Sequence, residues 1–187
     1  ATARELGDLR GLVEGLITQT TMHAARGDLA TGTAVSMEAE AIARRLDDST
    51  LLSRALAGRA QLLANAGDWP GTERAAREAE LTARTVDDWL VIASALTLIG
   101  TARREQGDLP GCEAAHQEEL RVAERGGNPA QIGIAHSNLG AAAIAGGRYP
   151  EALSRYAAAE PLLRSTQSHT ALVPLLANRA QLQQALG

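Results

Sequence analysis

The 187 residues (19.5 kDa) are 45% hydrophobic but 2% aromatic with no Phe, so Ala, Leu, Ile and Val must build the core, which favours closely stacked helices over a sandwich or barrel. All 18 basic residues are Arg, which excludes lysine chemistry such as a P-loop or Schiff base, and a net charge of -4 with few stacking rings argues against a direct nucleic-acid binder. A single Cys, Cys112, precludes an internal disulfide and suits a reducing compartment; no apolar run approaches a membrane span and no charged-then-apolar leader opens the chain, so a cytoplasmic location with no membrane partner is expected.

The predicted elements follow a repeat. Arg26-Gly27-Asp28-Leu29, Ala66-Gly67-Asp68-Trp69, Gln106-Gly107-Asp108-Leu109 and Gly146-Gly147-Arg148-Tyr149 recur every 40 residues, and Gly187 falls on the same grid. Pro70, Pro110 and Pro150 keep the register, as do Asp47-Asp48 and Asp87-Asp88. Gly ends a helix and Pro opens the next, so each period splits into two helical halves. In chain order, helices are expected over about 9–26, 29–46, 50–66, 69–86, 89–106, 109–125, 129–146, 149–165 and 172–186, with no strand. Leu90, Ile92, Leu96 and Ile99, with Ala93, Ala95 and Gly100, mark a wide buried stripe on the fifth. Pro161 and Pro174 predict a late start for the last helix. Units of about 9–48, 49–88, 89–128 and 129–168 and a half unit at 169–187 form one repeat domain. Residues 3–8 align with 43–48, the tail of a second helix, and the last unit stops halfway, so a fragment of a longer chain is expected.

These features resemble tetratricopeptide repeats, most clearly in the fourth unit, where Leu139-Gly140 stands for the family's first-helix pair and Ala152, Tyr156 and Ala159 for its second-helix sites. Ile99-Gly100 and the turn Gly107-Asp108-Leu109 carry the likeness into the third, and Gly32, Thr72, Cys112 and Ala152 supply small residues at one crossing site. The resemblance implies an all-α fold, a right-handed superhelical solenoid of stacked antiparallel helix pairs. The units are about six residues longer than the common repeat of about 34, like the family's long variants. Arg59-Ala60 and Arg179-Ala180 replace the Leu-Gly pair. A HEAT or armadillo array fits the period alone; the Gly-Asp turns favour the tetratricopeptide reading.

Candidate chemistry is sparse. Cys112 and His116 share a helix face at metal-ligand spacing, but no second pair accompanies them and both fall on packing sites. His23 and His136 read as core or groove residues, and His169 as a solvated linker residue. The Arg-Gly-Asp at 26–28 belongs to the repeated turn, and Asp47-Asp48 and Asp87-Asp88 read as helix caps. No nucleophile elbow, dinucleotide fingerprint or His-Glu-x-x-His site is present, so no enzyme, metal or cofactor is expected.

What remains is a surface. In the proteins this chain resembles, the first helix of each unit lines a concave groove. Carried over, that face holds Glu14, Ile17 and Thr21, then Arg54, Gln61 and Asn65. Thr97, Thr101 and Arg104 follow, then Ser137, Asn138 and Ala141, and finally Asn178 and Gln181. Amide side chains both donate and accept, so they suit the main chain of an extended peptide. The expected function is a protein- or peptide-interaction scaffold, with self-association through uncapped ends open to it. The resemblance extends to the repeat arms of bacterial signalling ATPases and transcription regulators. The alternative is a receptor for a small molecule or short signalling peptide, which an enclosed cavity lined by Asn and Arg would favour.

Overall fold

A computed structural model describes residues 3–186, with side chains from 8 to 184. Among these residues the regular structure is entirely helical: α1 (Ala3–Arg26), α2 (Leu29–Arg45), α3 (Ser49–Asn65), α4 (Trp69–Arg84), α5 (Trp89–Glu105), α6 (Leu109–Gly126), α7 (Pro129–Ala145), α8 (Tyr149–Ser165) and α9 (His169–Leu186). Gly187 lies outside the described residues.

The turns explain the regularity. Gly27, Gly67, Gly107 and Gly147, which end each unit's first helix, adopt φ between 71° and 82°. Asp47, Asp87, Gly127 and Gln167 take the same left-handed conformation between units, at φ 52°, 53°, 62° and 54°. Beyond each of these residues except Gly127 a backbone N–H reaches five residues back, as from Asp68 to Leu63 (3.0 Å) and from Ser168 to Leu163 (3.0 Å), closing a Schellman turn. The next side chain then caps the following helix: Asp28, Asp48, Asp68, Asp88 and Asp108 each accept from the N–H three residues on, and Asn128 from those of Ala130 and Gln131. Of each Asp-Asp pair, therefore, the second caps, while the first supplies the left-handed residue. Pro70, Pro110 and Pro150 stand second in their helices, where a missing N–H costs nothing.

Three expected features differ. α1 runs unbroken from Ala3, so residues 3–8 are not the tail of a preceding helix; a Gly at position 7 lowers helix stability without stopping a helix. α9 starts at His169, in register, despite Pro174, and α8 runs through Pro161 to Ser165. The carbonyls these prolines leave without an intrahelical donor belong to Ala157 and Thr170, both exposed residues where water can serve them. Leu90 is 45% exposed rather than buried. At 100° per residue it shares a face with Ser94, Thr97 and Thr101, not with Ile92 and Ile99.

Packing divides the chain into two compact units, one reaching Ala102 and one from Arg103 on. In the first, α1 packs on α2 and α3, and α3 on α4, around Val13, Leu16, Ala39, Ala43, Leu51 and Ala55. In the second, α7 packs on α6, α8 and α9, and Ala152, Tyr156, Ala159, Leu163 and Leu175 form the core. Alanines at the crossings substitute for the missing aromatics by letting backbones approach.

Arg59 and Arg179, which break the family's apolar pattern, are explained by partners 19 residues earlier. Arg59 pairs with buried Glu40 (3.2 Å), and Arg179 with Glu160. Glu40 also meets Arg44 (3.2 Å), which reaches Glu78 (2.7 Å). Burial pushes the Glu40 carboxyl above the usual range, against the pull of Arg59 and Arg44. Leu139, at the same repeat position as these arginines, has Leu120 rather than Glu 19 residues before it.

Candidate functional site

In the first unit, helical spacing places Arg54, Gln61 and Asn65 on one exposed face of α3, because positions 7 and 11 apart return to the same side. Arg54 pairs with Asp88 (3.3 Å). The Gln61 amide donates to Asn65 Oδ1 (2.8 Å), and Asn65 Nδ2 donates to the Ala24 carbonyl (3.0 Å). Asn65 thus ties α3 to the end of α1, a use inside the fold. Glu14 and Thr21 are exposed and Ile17 half-buried on α1; Thr97 and Thr101 are half-buried on α5.

In the second unit, Arg104, Asn178 and Gln181 come together at one cleft of about 430 Å³. Ala141, Ile144 and Ala145 of α7 form one wall, and Leu182 of α9 with Tyr149 and Tyr156 of α8 complete it. Of the residues that line it, Arg104 alone carries a formal charge. Its guanidinium meets Glu105 (3.0 Å), an exposed pair weakened by solvent. Tyr156 is wholly buried, and its hydroxyl has no hydrogen-bond partner among the described residues. Burial raises the phenol above its ordinary value, opposed by Asn178 and Arg104 beside it, so it remains a proton donor at neutral pH. Tyr149 and Tyr156 were read from sequence only as repeat positions. The signal available was the offset of 16 between Gly140 and Tyr156: a Cβ on Gly140 would lie 2.6 Å from the Tyr156 ring.

Asn138 is placed elsewhere. Its amide donates to both oxygens of buried Glu119 (3.1 Å each), and Glu119 also meets His116 Nδ1 (2.8 Å). Burial pulls the His116 pKa down, but hydrogen bonds to Cys112 and Glu119 and the carboxylate's charge outweigh it and raise the pKa to about 9. Cys112 is also buried, so the four side chains form an internal polar cluster. Among the described residues no group of three or more His, Cys, Asp or Glu is arranged to hold a metal. His23 meets Asp28 (3.2 Å), and half-buried His136 is held low by burial and by Arg155. No helix of the described residues is long and apolar enough to cross a membrane.

Paired helices, Gly-Asp turns and small residues at the crossings define the class, a stack of tetratricopeptide-type helix pairs. Residues 91–165 match a family model described as tetratricopeptide repeat. No curated protein matches it in sequence. Among solved structures, a signal transduction ATPase with numerous domains (STAND) that has a tetratricopeptide repeat sensor, from Pyrococcus horikoshii, superposes with a TM-score of 0.75 at 13% identity over 89% of this chain and 26% of that one. The apo form of RapI gives 0.76 at 11% identity over 94% of this chain and 49% of its own. BtubC from P. vanneervenii gives 0.64 at 14% identity over 100% of this chain and 93% of its own. At these identities the likeness is one of fold. The chain spans about a quarter of the ATPase and half of RapI.

Proposed function

We propose that this chain is a protein- or peptide-interaction scaffold that serves as the regulatory or sensor arm of a larger signalling or transcription-regulatory protein. The supporting observation is the stack of tetratricopeptide pairs whose first helices carry exposed polar side chains, among them Arg54, Gln61 and Gln181. The STAND neighbour, which has a tetratricopeptide repeat sensor, supports the arm. In such an arrangement the partner acts by binding one state of the parent better than the other. The proposed setting is the cytoplasm, with no direct contact to nucleic acid or membrane, and no catalytic role is assigned to any residue.

Two measurements test this reading. Selection from a random peptide library should enrich a motif whose affinity falls when Gln61 or Arg54 is replaced by Ala; folded protein that enriches nothing would refute the scaffold. The intact mass of the native protein should exceed 19.5 kDa. A native mass equal to that of this chain would refute the arm.

A further inference from the structure

The cleft of the second unit contains two polar groups that bear on a ligand. One is the Tyr156 hydroxyl, a buried donor with no acceptor among the described residues. Such a group is costly to leave unmet, and a ligand oxygen that meets it recovers that cost. The other is the half-buried Arg104 guanidinium, tied only to an exposed carboxylate. Asn178 lines the same cleft beside Tyr156 and can donate a further hydrogen bond. Ile144, Tyr149 and Leu182 add apolar surface to the lining. The volume of about 430 Å³ falls within the range of small-molecule sites and suits one ring or short chain with its polar head.

We propose that this cleft binds a small organic acid, an apolar ring or chain bearing one carboxylate, with the carboxylate at Tyr156, Asn178 and Arg104 and the apolar part against Ile144, Tyr149 and Leu182. Charge complementarity selects this occupant, since the lining carries one positive charge and no negative one. Desolvation inside the cleft strengthens that attraction relative to the exposed pair with Glu105. The inference deepens the sensor reading by giving the arm an effector of defined chemistry.

The test is calorimetric and NMR titration of the whole chain with phenylacetate, indole-3-acetate and octanoate, alongside the corresponding neutral amides. At least one acid should bind with a Kd of about 1 mM or tighter, and its amide at least about tenfold more weakly. Tyr156→Phe, which keeps the ring and its packing, and Arg104→Gln, on a half-exposed side chain, should each weaken the acid by about tenfold. Acids that do not bind, amides that bind equally well, or affinities that neither variant alters would overturn the proposal. Peptides that enter the cleft while the free acids do not would also overturn it. The library selection reads the scaffold separately: an enriched motif with no acid binding defeats only the cleft assignment, and acid binding with no motif defeats only the scaffold.

Discussion

Gly140→Ala adds one methyl group at a helix crossing, and the geometry fixes its effect. The new Cβ would lie 2.6 Å from Tyr156 Cε1, 2.9 Å from Cδ1 and 3.1 Å from Cζ. Carbon atoms rest about 3.5–4.0 Å apart, so the ring must move by close to an ångström. Tyr156 is wholly buried in a core with Ala152, Ala159, Leu163 and Leu175, so moving the ring disturbs that packing. Overpacking of this kind costs about 1–3 kcal/mol, against about 0.5–1 kcal/mol gained by replacing Gly with Ala inside a helix. The net loss should be about 1–2 kcal/mol. Gly11→Ala is the matched control, because Gly11 is exposed, helical and has nothing within 4 Å of its would-be Cβ. It should stabilise by about 0.5–1 kcal/mol. Urea unfolding followed by helical circular dichroism reads both, and a Gly140→Ala variant as stable as Gly11→Ala would refute the reasoning. The repeat contains its own compensated pair, since Ala60 has Ala76 at the same offset of 16. Gly140→Ala with Tyr156→Ala reproduces that pair, and the two changes should couple by about 1 kcal/mol or more.

Other outcomes follow from the buried cluster and the turns. His116→Ala should cost about 3–5 kcal/mol by removing the His116 partner of buried Glu119, and His116→Ala with Glu119→Ala should recover at least about half of it, because Ala76 and Ala79 occupy those positions in the repeat at 49–88; a double variant as weak as the single one would refute the pairing. His116 has a folded pKa of about 9, above the ordinary 6.5, so its stabilisation is complete below about pH 6.5 and disappears as pH rises through about 9. The loss, on the order of 1–3 kcal/mol, should appear in urea midpoints of the native chain and be absent from the double variant. Gln167→Gly, at φ 54°, should stabilise by about 0.5–1 kcal/mol, as Gly127 already serves the equivalent turn; a destabilised variant would count against the left-handed geometry. Asn65→Ala should cost about 1 kcal/mol through the Ala24 carbonyl, read by the same unfolding curves, and an unchanged midpoint would remove Asn65 from the fold's hydrogen bonding.

By itself the sequence determined the helix pairs and their turns, because those are local events. A left-handed Gly, an Asp cap and a Pro in the first turn act within five residues, so their 40-residue recurrence was legible without any tertiary contact. The size match between Gly140 and Tyr156 was legible too, as an offset in the repeat. What the tertiary structure decided lies where one helix meets another. Arg59 and Arg179 looked like departures from an apolar pattern until Glu40 and Glu160 came to face them. Asn65 and Asn138 had the chemistry of peptide contacts, but neighbouring helices brought them to Ala24 and Glu119. The Tyr156 hydroxyl reads in sequence as part of a consensus aromatic. Only the packing of α7, α8 and α9 removes it from water without supplying an acceptor among the described residues, because burial and hydrogen bonding depend on residues tens of positions away whose approach no local pattern encodes.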